Sequence, residues 1–123
     1  MLRIGSYVKV ADNTGALLAQ IIGIKRGGRQ RFARIANVVK VAIKKAKPDA
    51  SVKAHEVHYA VIVRLAKEWK RPDGTYIRFS DNAVVILDSN AELPRGTRIF
   101  GPIAREVKLY GFDKIAHMAQ EVL

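Results

Sequence analysis

The feature that most constrains this chain is an apolar alternation with a period of two. In 38–45, Val39, Val41 and Ile43 alternate with Lys40, Ala42 and Lys44, the pattern of a strand with one face inward and one outward. Val57, Tyr59, Val61, Val63 and Leu65 repeat it, leaving His58 and Arg64 for the opposite face. Val84 to Leu87 is apolar on both faces and reads as a fully buried strand. "SYVKVA", "LLAQIIGI" and "TYIRF" are further short, Val- and Ile-rich or aromatic segments, the residue types that fit a pleated surface.

Turn chemistry separates these strands. "ADNTGA" (11–16) suits a tight turn with Asn13 or Gly15 at positive φ, and "RPDG" (71–74) has a type I pattern with Gly at its end. Gly27-Gly28 can bend a further hairpin. Many short strands with regular turns predict a barrel or a sandwich. The pattern changes after residue 100. Pro102 suits the first turn of a helix. Phe112, Ile115, Ala116 and Ala119 then fall at helical spacing, so a short amphipathic helix is expected to cover part of the sheet. The reading is a single domain over 1–123, with a ribbon at about 24–35 and a helical segment at about 102–120.

Charge narrows the function. The 123-residue chain has a net charge of +11, unevenly spread. Residues 1–80 carry 17 Lys and Arg against 5 Asp and Glu, whereas 81–123 carry 5 against 6. A domain this basic over one part of its chain expects a polyanion: RNA or DNA first, an anionic membrane surface second. A merely soluble surface mixes both signs. No apolar run approaches a membrane span, and "MLRIGSYVKV" lacks the sections of a signal peptide. Cysteine is absent, which removes disulfide and thiolate chemistry.

Catalytic patterns are missing. "HEVH" (55–58) has its two His three apart at a strand entrance, not four apart on a helix as zinc proteases need. His117 has no carboxylate neighbour in sequence. There is neither a phosphate-binding Gly-Lys-Ser/Thr loop nor a G-x-S-x-G elbow. Asp12, Asp73 and Asp81 sit in turn contexts, where Asp bonds to its own backbone. A non-enzymatic protein with no metal and no cofactor is expected.

"IKRGGRQRFAR" (24–34) is the densest basic stretch. Its cations Lys25, Arg26, Arg29, Arg31 and Arg34 repel one another and attract phosphate, for which the planar Arg fork is suited. Phe32 either stacks on an exposed base or sugar or anchors the ribbon to the barrel; the sequence leaves both open. Lys44, Lys45 and Lys47 extend the basic surface, and Lys67, Lys70, Arg71 and Arg78 surround the second hairpin. Such contacts read shape and phosphate rather than base sequence.

The run "AVIVRLAKEWKRPDGTYIRFSDNAVVIL" from Ala60 holds an apolar quartet, then Asp73-Gly74, Phe79, Asn82 and Val85-Ile86. This order resembles the signature of the universal large-subunit ribosomal protein number fourteen family. "VADNTGA" (10–16), "GTRIFGPIARE" (96–106) and the ending "EVL" are similar to its bacterial form. The resemblance covers essentially the whole chain. It implies a mainly β fold: a small closed five-stranded β-barrel with a projecting β-ribbon and short C-terminal α-helices. It also implies a structural role in the large subunit, with 23S-type rRNA bound and bridges made to small-subunit rRNA. Neighbouring large-subunit proteins are implied as partners, and a ribosome silencing factor as a further one. Thr97 and Arg98 in "GTRIFGP" and Lys114 on the last helix would form the subunit-interface and silencing-factor surface. Three segments depart from the pattern: "ANV" (36–38), "AHE" (54–56) and "EW" (68–69). They leave an organelle, mitochondrion or plastid, open beside the bacterial cytoplasm. The alternative is a free-standing OB-like nucleic-acid-binding regulator. A single-strand binder of that type displays several aromatics on its strands, and the 1 Trp, 4 Tyr and 4 Phe here do not place three on one basic face.

Overall fold

A computed structural model describes residues 1–25 and 31–123. The strands that precede the C-terminal segment are β1 (Tyr7–Val10), β2 (Ala16–Ile24), β3 (Val38–Ala46), β4 (Val57–Arg64), β5 (Trp69–Lys70), β6 (Tyr76–Ile77) and β7 (Ala83–Ile86). Then come β8 (Pro102–Ile103), α1 (Glu106–Leu109), α2 (Asp113–Met118) and β9 (Glu121–Val122). Strands β1, β2, β3, β4 and β7 close a five-stranded barrel, antiparallel throughout except where β1 meets β7 in parallel. Closure pairs every barrel strand on both sides, which removes exposed edges.

The alternation read in β3 is the barrel's inner face. Val39, Val41 and Ile43 are fully buried with Val8, Ile21, Ile62 and Ile86, while Lys40 and Lys44 are exposed. In β4 the outcome differs from the one-face reading. Ala60 and Ile62 fill the barrel, whereas Val61 and Val63 face outward into a second apolar layer with Val85, Ile99, Ile103, Val107 and Ile115. The C-terminal segment covers that outer face. A register shift between Ile62 and Arg64 then returns Leu65 to the barrel layer, so it does not share the face of Val61 and Val63. β7 is buried on both sides, as its sequence predicts.

The C-terminal expectation needs correction at its start. Pro102 opens no helix; Pro102–Ile103 pairs in parallel with Glu121–Val122. Helix begins at Glu106, breaks at Gly111 with φ +98° and resumes as α2. Phe112 and Ala119 flank α2 as its caps, and Ile115 is its buried anchor.

The ribbon expected at about 24–35 has its bend, residues 26–30, outside the described residues. Pairing of β2 with β3 continues as far as Lys25, whose N–H donates to the Val38 carbonyl (3.1 Å). Where the description resumes, Ala33 is fully buried and bridges Leu2. Among the described residues, the two-stranded hairpin outside the barrel is β5–β6.

That hairpin turns at "RPDG". Gly74 N–H donates to Arg71 O (2.9 Å), Arg71 N–H donates to Thr75 O (2.8 Å), and Gly74 has φ +90°. A Cβ at Gly74 would meet nothing within 4 Å, so only backbone strain opposes substitution. Gly74→Val should cost about 1–3 kcal/mol, while Lys70→Ala should stay within about 0.5 kcal/mol. Urea melts of the two variants check this; equal losses would show that the turn is not what sets the hairpin's stability.

Candidate nucleic-acid interface

The predicted cations occupy three regions. The first is the outer surface of β2 and β3. Lys44 and Lys45 lie on β3 and Lys47 just after it, all exposed. Lys25 is exposed and its Nζ sits 5.5 Å above the Tyr59 ring. Tyr59 is in turn the cross-strand partner of Lys40, so pairing brings Lys40 beside Lys25. Alternation places Lys40 on the outer face without assigning it to the site. Arg31 is exposed; Arg26 and Arg29 fall outside the described residues. Phe32 is half-buried and carries the Arg3 guanidinium 5.0 Å from its ring centre, a cation–π geometry that adds Arg3 to this region.

The second region is a cleft of about 820 Å³ between the chain after β4, the β5–β6 hairpin and α1. It gathers Arg34, Lys67, Lys70 and Arg71, and adds Arg105, which sequence reasoning missed because it lies in the acid-balanced half of the chain. Their positive field acts on the Met1 amino group. Burial holds that group below its ordinary range, and Lys67 and Arg34 push it further down. Arg78 is exposed beyond β6 and does not line the cleft.

Arg71 differs from its neighbours. Its side chain is 10% exposed. Nη2 donates to Glu106 Oε1 (2.8 Å) and Nη1 to the Leu123 carbonyl (2.7 Å), and Trp69 Nε1 donates to Glu106 Oε2 (2.6 Å). Arg71 therefore ties the hairpin to the C-terminal segment.

The third region holds Thr97 and Arg98 at one end of the barrel. Asn13 organises them: its Nδ2 donates to Thr97 Oγ1 (2.9 Å), and its Oδ1 accepts from the N–H groups of Thr97 (2.8 Å) and Arg98 (3.1 Å). A Cβ on Gly96 would come within 2.7 Å of that Oδ1, so glycine is what lets the loop close on Asn13. An Arg98–Glu106 ion pair would have been a purely structural use of Arg98, but both Glu106 oxygens are bound by Arg71 and Trp69. Lys114 is exposed on α2 beside the buried Ile115. No hydrogen bond joins Lys114 to Thr97 or Arg98 among the described residues; what relates them is the apolar layer shared by Ile99 and Ile115.

The acids are occupied in structure. Asp12 is buried and accepts from Thr14 Oγ1 (2.6 Å), Thr14 N–H (3.2 Å) and Ile86 N–H (2.9 Å). Burial pushes its carboxyl up, and these bonds partly offset that. The Thr75 hydroxyl and N–H hold the Asp73 carboxyl below its usual range. Asp81 does not bond to its own backbone as turn Asp does; it accepts from Arg64 Nε (2.9 Å). In "HEVH", His55 takes φ +71° just before β4, and the half-buried His58 lies 3.7 Å from Glu56. Burial, then Arg95, holds the His58 imidazole below its ordinary range. Among the described residues no three His, Cys, Asp or Glu gather at metal-binding distance, and no helix is long and apolar enough to cross a membrane.

What this arrangement can do is hold phosphate: exposed cations on several sides, with the nearby acids largely engaged within the chain. Comparison with known proteins adds a lineage. The family model for ribosomal protein L14p/L23e matches residues 1–123. The large ribosomal subunit protein uL14 of Aquifex aeolicus (strain VF5) is 49% identical over 123 residues, spanning 100% of both chains.

Proposed function

Because the chain belongs to the ribosomal protein L14p/L23e family, we propose that it clamps large-subunit rRNA through the exposed cations of its barrel and cleft, as a structural protein of the large ribosomal subunit. The observation that carries this reading is the exposure of Lys44, Lys45, Lys47, Lys67, Lys70 and Arg78 while Asp12, Asp73, Asp81 and Glu106 are engaged within the chain. Each cation laid against phosphate releases condensed counterions, and the gain is sequence-independent. The proposal includes the exposed Arg31 and Arg34, and Arg26 and Arg29 as cations of the same basic stretch of sequence. The protein positions folded RNA and performs no reaction. Full-length similarity to a bacterial relative supports a bacterial-type large subunit; an organellar ribosome of that type is compatible with the same surface. The free-standing regulator has no observation in its favour once the whole chain matches one ribosomal family.

Thr97, Arg98 and Lys114 form the subunit-facing part of this proposal, reaching small-subunit rRNA and, in a second state, a silencing factor. Neighbouring large-subunit proteins are further partners. The support is that Asn13 fixes the backbone of Thr97 and Arg98 while the Arg98 side chain stays exposed. Substituting all three with Ala should leave large subunits assembled but slow in joining small subunits, or deaf to the silencing factor. Sedimentation of purified subunits reads both. Normal joining with a normal factor response would remove this surface from the account.

A further inference from the structure

The cleft between the β5–β6 hairpin and α1 has walls that a bare phosphate backbone would not need. Ile35, Leu65, Trp69 and Leu109 give it an apolar lining, and Arg34, Lys67, Lys70 and Arg105 give it cations. Leu109 and Tyr110 stand at its edge 76% and 69% exposed. Its roughly 820 Å³ lies within the range of small-molecule sites. Arg71, which also lines it, is nine-tenths buried and turned to Glu106 and the Leu123 carbonyl, so the cations open to a ligand are Arg34, Lys67, Lys70 and Arg105. Of the three acids lining the cleft, Asp73 is bound to Thr75 and Glu106 to Arg71 and Trp69, while Glu68 is exposed to solvent.

A ligand that is flat, apolar on its faces and anionic beside them fits this lining. We propose that the cleft receives a single unpaired nucleotide turned out of an RNA helix, its base against Tyr110 and Leu109 and its phosphates on Lys67, Arg34 and Arg105. Splayed bases stacked on aromatic side chains are how RNA is read where its duplex grooves are closed to side chains. The inference rests on the RNA-binding reading above and adds to it a site that distinguishes unpaired from paired RNA.

The chain's 1 Trp is Trp69, in the cleft wall, so intrinsic fluorescence reports occupancy. The probes are a short RNA duplex with one unpaired adenosine, the same duplex fully paired, and a Glu-rich peptide. The unpaired form should quench Trp69 and bind more tightly than the paired form. Tyr110→Ala should weaken its binding about fivefold or more, and Lys67→Ala about tenfold, with binding of the paired duplex far less affected by Tyr110→Ala. Both side chains are exposed, and thermal melts confirm that the variants fold. Equal binding of the two duplexes, unmoved by Tyr110→Ala, overturns the nucleotide site and leaves the RNA-binding reading standing. Quenching by the peptide but by neither RNA overturns it in favour of a protein partner. Failure to bind either RNA at low salt overturns both readings.

Discussion

Replacing Arg64 with Ala should lower stability by about 3–5 kcal/mol, the cost of removing one partner from a buried ion pair. Arg64 is 9% exposed and anchors the C-terminal segment to the barrel. Its Nε donates to Asp81 Oδ1 (2.9 Å), and its Nη1 donates to the carbonyls of Phe100 (2.8 Å) and Pro102 (3.2 Å). Alanine would leave the partly buried Asp81 carboxylate, among the described residues, only the exposed Lys9 at 3.8 Å and two carbonyls without this donor, beside a cavity. The backbone is shaped around the guanidinium as well: Gly101 has φ +82°, and a Cβ there would come within 2.5 Å of Nη1. Lysine cannot restore the fork geometry, so Arg64→Lys should recover only part of the loss. Thermal melting should show a fall of roughly 10–20 °C for Arg64→Ala. A loss below about 1 kcal/mol would mean that the C-terminal segment is held by its apolar layer alone.

Gly15→Val should be comparably damaging for a different reason. Gly15 has φ +94°, and a Cβ there would collide with the Cα and Cβ of Ala50. The approach is fixed by hydrogen bonds on both sides: Lys47 N–H donates to Gly15 O (2.9 Å), and Ser51 Oγ donates to Thr14 O (3.1 Å). The obstacle is backbone and a short side chain, which cannot swing aside. Strain at positive φ and overpacking each cost about 1–3 kcal/mol. A loss of roughly 3 kcal/mol or more is therefore expected, and Gly15→Ala should lose nearly as much. Urea denaturation measures both. If Gly15→Ala melts like the parent, the 47–52 loop is free to move away from the turn.

Both predictions concern contacts that alternation cannot announce. Period two locates β3 and β4, short Val- and Ile-rich runs locate β1, β2 and β7, and turn chemistry locates Gly15 and Gly74, because these are local properties of the chain. Alternation assigns Arg64 to an open polar face because nothing in "VIVRLA" reveals that residues 99–115 cross over it. Pro102 reads as a helix start for the same reason: the partner that makes it a strand is Glu121, far along the chain. Among the cations, Lys40 and Lys44 are legible from alternation alone, whereas Lys45, which alternation puts on the face of Val41 and Ile43, is exposed where the register shifts opposite Leu18. Arg71 is not, since its inward turn depends on Glu106. Arg3 and Arg105 join the basic surface only through tertiary contact with Phe32 and with the cleft.

The most direct test of RNA clamping is the salt dependence of binding to large-subunit rRNA. We expect log affinity to fall linearly with log salt. The triple variant Arg26→Ala, Arg29→Ala, Arg31→Ala should show a slope shallower by about 0.7–0.9 for each phosphate that it no longer neutralises. Its melting temperature should match the parent's to within roughly a few degrees if these charges act on RNA rather than on the fold. An rRNA affinity and salt slope unchanged by the triple substitution would contradict the assignment of the "IKRGGRQRFAR" segment to phosphate.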